Sequence, residues 1–214
     1  MKMKSFFLTL IIICQTLTGQ IIPERQWPAF RGQLSSGILD NANLPDSFNL
    51  ESAYNIKWKI QVPGLGISSP VIWGDKIFIT TALSGSDKAG FKPGLYGDVT
   101  PVDDNSEHEW IVYCFDKNTG RKIWEKISFK GVPKMKRHPK STHANTTLAT
   151  DGNYIVAFFG SEGLYCYGIN GDLKWQKNFG TLKSVFFTME SAEWEFASSP
   201  IIHNGVAIIQ CDVL

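Results

Sequence analysis

An all-β fold built from repeated four-stranded units is what this sequence predicts, on three observations. A hairpin pattern returns three times, as "SSPVIWGDKIFIT" (Ser68 to Thr80), "TTLATDGNYIVAFF" (Thr146 to Phe159) and "SSPIIHNGVAIIQC" (Ser198 to Cys211). The first two copies are each followed by a second hairpin, "EWIVYCFD" turning through "KNTG" into "RKIWEKI", and "GLYCYG" turning through "ING" into "DLKWQKN". Long amphipathic helical stretches are scarce, while aromatics make up 13% of the 214 residues and glycines number 19. That profile suits a β-rich globular chain and excludes disorder.

The elements follow in chain order. Residues 1–19 read as a secretory signal: Lys2 and Lys4 form a basic start, Ser5 to Cys14 an apolar core, and Thr16 to Gly19 a small or polar exit. The apolar run is short for a bilayer span, so a cleaved signal is preferred over an uncleaved anchor. Ile13 stands where a lipid-attachment signal wants a small residue, so Cys14 does not indicate a lipoprotein. A periplasmic or extracellular location is expected, with no transmembrane helix after cleavage. Residues 20–54 are an N-terminal extension. "NIKWKIQVPG" (Asn55 to Gly64) reads as a fourth strand without a unit of its own.

The spacing sets the architecture. Leu148 and Pro200 stand 52 positions apart, Trp124 and Trp175 stand 51 apart, and Pro70 and Leu148 stand 78 apart. A repeat of about 50 residues, with an insertion of about 25 in the first copy, lies in the range of β-propeller blades. Blade one is expected over about 67–128, blade two over about 145–179, and the start of blade three over about 196–214. In a ring, the orphan strand completes the last blade and joins the chain ends. Within each blade, Gly120 and Gly171 are expected at chain reversals with positive φ, and Asp116 is expected to bond the turn amides. Trp124 and Trp175, four residues after those glycines, are read as docking elements against the neighbouring unit.

The pattern of Cys, x, Asp, three residues, Gly, three residues, Trp in "CFDKNTGRKIW" resembles the tryptophan-docking repeat of pyrroloquinoline-quinone (PQQ) type β-propellers, with Cys114 in the usual Ala position. "CYGINGDLKW" departs from it, with a turn one residue shorter and Gly168 in place of the Asp. "WPAFRGQLSSG" (Trp27 to Gly37), "STHANTTLATDG" and "GSEGLYCYGINGDLKW" are similar to secreted bacterial PQQ-like repeat proteins. The resemblance covers most of the chain after the signal and implies a ring of about six to eight blades and roughly 350–450 residues, seven or eight blades being the expectation. Two and a half blades and a closing strand then make this sequence the N-terminal part of a longer protein, or a short protomer that assembles into a ring.

That family includes quinoprotein alcohol and sugar dehydrogenases and a non-enzymatic lipoprotein of outer-membrane assembly, so the fold does not settle the function. The dehydrogenases hold PQQ with adjacent cysteines and a calcium ion bound by Glu, Asn and Asp. No adjacent cysteine pair occurs here. After signal cleavage Cys114, Cys166 and Cys211 remain, an odd number with no metal-ligand spacing. They read as small buried hydrophobes.

Three long connections, Ser84 to Glu107, Lys130 to Asn145 and Gly180 to Glu195, are expected on one face, where a rigid scaffold usually carries its binding residues. The second is basic, with Lys134, Lys136, Arg137, His138 and Lys140; the third is acidic around Trp194, with Glu190, Glu193 and Glu195, and "DVTPVDDNSE" is acidic too. The bland reading is solvated loops. The functional one is a binding rim with Arg137, His138, His143 and Trp194 as its candidate residues.

Other signals are weak. His138 and His143 are five apart without a Glu pattern, and "EHEW" lacks a second histidine at helical spacing, so no zinc site is indicated. Ser68-Ser69 and Ser198-Ser199 recur with the repeat and read as strand-edge residues, not nucleophiles. "GLG" near Gly64 precedes no helix, and no phosphate-binding loop occurs. A formal charge of +1 argues against nucleic acid. Two functions remain: an exported binding or scaffold module facing a protein, saccharide or envelope partner, or a quinoprotein-type dehydrogenase using PQQ and calcium, with its cofactor residues beyond Leu214.

Overall fold

A computed structural model describes residues 25–40, 42–86, 91–92, 100–186 and 189–213. The signal-like segment 1–19 lies outside them. The chain is all-β, with no α-helix among the described residues. No helix there is long and apolar enough to cross a membrane.

Two antiparallel four-stranded sheets are formed by β1 (Val71–Trp73), β2 (Lys76–Ser84), β3 (His108–Asp116) and β4 (Lys122–Gly131), and by β5 (Ala149–Thr150), β6 (Tyr154–Phe158), β7 (Leu164–Gly168) and β8 (Leu173–Lys177). Each sheet has its strands in chain order. Two hairpins complete the set: β9 (Val185–Phe186) with β10 (Met189–Glu193), and β11 (Ile201–His203) with β12 (Val206–Ile208). The sheets do not close on one another. β4 runs to Gly131, beyond the expected end near 128, because its ladder with β3 resumes after a bulge and pairs Phe129 with Trp110. The β9–β10 hairpin falls inside the expected third loop.

The strands stack in layers because alternate side chains bury on opposite faces. On β3, Trp110, Val112 and Cys114 enter a core shared with Ile155, Ala157, Tyr165 and Tyr167 of the second sheet. Ile111, Tyr113 and Phe115 point the other way and meet Val62. On the second sheet Val156, Phe158, Leu164 and Cys166 pack instead toward Phe196 and Ile202. The order is therefore the segment before Gly64, first sheet, second sheet, third hairpin. The innermost strands lie side by side, β1 against β5 and β5 against β11. A fully buried Val, Leu, Ile or Phe contributes roughly 1.5–3 kcal/mol, so these two-sided strands carry much of the stability.

Residues 55–64 do not form the expected strand. They lie beside the first sheet, with Val62 packed on its outer face, and Leu65 just after them forms a bridge with Ala82. No third strand adjoins them among the described residues, so their backbone finds no ladder. Their role is lateral: the Trp58 indole donates to Lys117 O at 2.9 Å and covers Gly120, where an added Cβ would stand 2.8 Å from the ring. One layer on, Trp124 donates to Ile169 O at 3.3 Å and covers Gly171, with a corresponding distance of 2.9 Å. Both glycines have positive φ, 72° and 88°, so each turn needs glycine for its backbone and for the ring laid against it. The Asp116 carboxylate accepts from the amides of Asn118 and Thr119 and from the Thr119 hydroxyl. Trp175, one layer further, is 38% exposed. It faces a small cleft with Ile202, Gly205 and Ala207 of the third hairpin.

A second relay links equivalent inner positions. Ser69 N donates to Thr147 Oγ1, and Thr147 N donates to Ser199 Oγ, both at 2.9 Å. The recurring Ser-Ser pairs thus join units edge to edge.

Cys114, Cys166 and Cys211 are free thiols. Burial pushes Cys114 up to about 12 and Cys166 up to about 11. Iodoacetamide at pH 8 is therefore expected to leave both unmodified in the native protein and to alkylate both in denaturant, read by peptide mass spectrometry. Native labelling of either would contradict the two-sided burial of β3 and β7.

Candidate functional site

The antiparallel ladders place the Asp116–Gly120 turn at one end of the first sheet and the Ser84–His108 pair at the other. At this second end the long connections meet. Val102 N donates to Arg137 O at 2.9 Å, and Lys92 N donates to Pro139 O at 2.9 Å. Lys136 Nζ lies 2.7 Å from Asp103 Oδ1, while its amide donates to Glu193 Oε2. Ser141 Oγ donates to Trp194 O at 3.3 Å, and Trp194 N to Ser184 O at 3.1 Å. The basic and acidic runs are thus paired with each other across loops. They are not independently solvated faces.

The candidates Arg137, His138, His143 and Trp194 are all in this assembly. The first three are buried. His138 stacks on Trp194 with centroids 4.8 Å apart and planes 3° from parallel. His143 Nδ1 lies 2.7 Å from Glu195 Oε1. The two histidines therefore do different things and do not converge. Asp116, Gly120, Trp124, Gly171 and Trp175 belong to the turns and outer strands described above.

Three further residues complete the site, and the sequence reading did not single them out. His108, from the discounted "EHEW", begins β3, and its ring meets His143 edge-on at 5.1 Å. Asp104 Oδ2 accepts from Ser84 Oγ at 2.7 Å, and its Oδ1 accepts from Ser86 Oγ, Ser106 N and Ser106 Oγ. Glu162 sits on a short 3-10 turn, Gly160–Glu162, between β6 and β7. Its Oε1 accepts from Lys134 N at 2.9 Å, and Lys134 Nζ donates to Ser161 O at 2.5 Å. Glu162 Oε2 is buried without a hydrogen bond.

Burial decides the charges. It pushes Glu195 up to about 8, with the Glu193 charge adding to the effect and the Phe196 amide and Arg137 opposing it. It pushes Glu162 up to about 7, with Glu195 adding. It lowers His143 to about 4, against the pull of Glu162 and with the help of the Arg137 charge. His108 is lowered by burial too, opposed by its bond to Ser106 and reinforced by His143. Burial would raise Asp104, but the Ser106, Ser84 and Ser86 bonds outweigh it and hold the group well below the usual carboxylate range. At neutral pH both imidazoles are uncharged and His143–Glu195 is a neutral hydrogen-bonded pair. His108 Nε2 is 3.6 Å from Asp104 Oδ2, too long for a hydrogen bond, and makes no ion pair while neutral. Arg137 remains the fixed cation, with one guanidinium N–H given to Ser141 O at 3.0 Å.

Beside these groups lies a cleft of about 340 Å³, bordered by Ser84, Ser86, His108, Arg137 and His143, with Leu65 and Ala82 on its apolar side. This is the small-molecule range, about 300–1,000 Å³. Cys114 and Cys166 lie within the sheets, and no three His, Cys, Asp or Glu side chains among the described residues converge as metal ligands. No protein-family model matches this sequence, and no curated protein matches it either.

Proposed function

We propose that the two sheets and the third hairpin are blades of an exported PQQ-like β-propeller, and that its loop-rich end is a binding surface for a protein, saccharide or envelope partner. The stacked layers, the tryptophan-on-glycine contacts and the repeated inner hydrogen bonds support the propeller. One observation carries the binding role. The loop-rich end buries His108, Arg137, His143, Glu162 and Glu195, and the first three of them border one cleft. Burying ionisable groups costs several kcal/mol when they are imperfectly paired, so a purely structural rim has no reason to collect them.

The test pairs retention with redox chemistry. The purified protein is expected to be retained by an envelope polysaccharide or membrane-protein extract, and Trp194→Ala is expected to reduce retention at least fivefold. Titration with PQQ and calcium is expected to give no saturable binding, and addition of alcohol or sugar no absorbance change. Saturable PQQ binding with a substrate-dependent absorbance change would replace this reading with the dehydrogenase.

A further inference from the structure

The buried hydrogen bonds give the cleft a definite donor and acceptor pattern. In the neutral pair Glu195 donates to His143 Nδ1, so the imidazole's own proton sits on Nε2. His108 Nδ1 lies 2.9 Å from Ser106 O, a carbonyl that can only accept, so Nδ1 carries that proton and Nε2 keeps a lone pair. Neither Nε2 makes a hydrogen bond among the described residues, and both rings border the cleft. One imidazole therefore offers a donor and its neighbour an acceptor.

Charge narrows the ligand. Arg137 places a fixed positive charge beside both rings, the same field that weakens their hold on protons, and it opposes a metal cation equally. Asp104 offsets that charge, and with four hydrogen bonds already accepted it serves as an anchor for the serines. A guanidinium beside an imidazole N–H suits a carboxylate, whose oxygens accept from both kinds of donor. The serine hydroxyls add polar edges, and Leu65 and Ala82 an apolar floor.

We propose that this cleft binds a hydroxylated monocarboxylate, a sugar acid of the uronate kind, with its carboxylate toward Arg137 and His143 Nε2–H and a hydroxyl donating to His108 Nε2. The proposal rests on the loop-rich end being a binding surface, and names what that surface takes. It also makes binding sensitive to pH. Ionised Glu195 would accept from His143 Nδ1–H, leaving Nε2 bare and adding a negative charge. The groups around this pair are Arg137, Glu162, Glu193, Asp104 and His108, with Lys134 beside Glu162.

The experiment is calorimetric titration of the purified protein with D-glucuronate at pH 6 and pH 9, with D-glucose as the neutral comparison. Glucuronate is expected to bind at pH 6 at least tenfold more tightly than glucose, and to weaken at least tenfold by pH 9. Glu195→Gln cannot ionise and keeps a donor to Nδ1, so whatever its affinity at pH 6 it should lose most of the pH 9 decline. His108→Gln should weaken glucuronate at least fivefold, with near-ultraviolet circular dichroism confirming that both variants fold. No glucuronate binding at pH 6, equal binding of glucose, or an undiminished pH decline in Glu195→Gln would overturn the proposal. If glucuronate fails while Trp194-dependent retention on envelope material persists, the sugar-acid assignment falls alone. Loss of both brings down the binding surface as well.

Discussion

Replacing Trp110 with alanine is expected to lower the unfolding free energy by about 4–5 kcal/mol, the upper part of the range for deleting a buried tryptophan. The side chain is fully buried and lies at the join between the first sheet and the site. Its ring meets Phe129 at 5.3 Å, His108 at 5.6 Å and His143 at 5.8 Å. Its indole N–H donates to His143 O at 2.9 Å, which holds the loop carrying His143 against β3. Alanine removes the packing and also leaves that carbonyl buried without its donor. In urea, with a slope near 2 kcal/mol per molar, the midpoint should drop by about 2 M. Trp110→Phe separates the two effects: it keeps most of the apolar volume, so its cost should be about 1–3 kcal/mol, that of the orphaned carbonyl. A loss below about 1 kcal/mol in Trp110→Ala would mean that β3 does not organise the core as described.

The layering was legible because it is written in short-range chemistry. Gly74-Asp75, Asp151-Gly152 and Asn204-Gly205 each mark a hairpin reversal. The pair Asn204 and Gly205 has φ of 48° and 74°, the left-handed conformation that a two-residue hairpin demands. The 52-residue offset between Leu148 and Pro200 reappears as the Thr147–Ser199 hydrogen bond between adjacent units. Trp58 was less legible. Its segment has strand-like composition, yet a strand needs a partner, and composition does not say which neighbour supplies one. What the segment offers instead is one indole laid on Gly120, the same contact that Trp124 makes on Gly171.

The site was legible only in part, because its geometry depends on distant pairings. Arg137, His138, His143 and Trp194 stood out as charged and aromatic residues in long loops. His108 did not, since it was weighed as a metal ligand at helical spacing. It lies at a strand start, and its partner ring arrives from a loop 35 positions away. Glu162 lies in "GSEGLY", where nothing local distinguishes it from a solvent-facing turn acid. Its burial follows from Lys134 closing over it. The acidic and basic runs looked like opposed rims, and only the fold shows that Lys136 joins Asp103 to Glu193.

Those buried acids set a pH dependence with a definite sign. A carboxyl whose affinity for its proton rises on folding favours the folded state at low pH, and that contribution is lost as pH climbs through the folded value. For Glu162 and Glu195 the loss runs from the ordinary carboxylate range up to about 7 and about 8. His143 acts oppositely. Its folded value is depressed to about 4, so its contribution is complete above the ordinary histidine range, near about 6.5, and is lost as pH falls toward 4. Between pH 5 and 6.5 the slopes oppose one another. Above that the carboxyls act alone, and stability should fall by roughly 1.4 kcal/mol per pH unit for each excess proton held by the folded state. Two falling slopes outweigh one rising slope, so urea unfolding between pH 5 and 9 should show the highest stability near pH 5 and a decline of several kcal/mol by pH 9. Glu195→Gln cannot ionise and preserves the bond to His143, so its curve should be flatter between pH 7 and 9. A wild-type curve that rises from pH 6 to 9 would mean that Glu195 is ionised in the folded protein. His143 would then be its cationic partner, and the cleft would present a different set of charges from the one derived above.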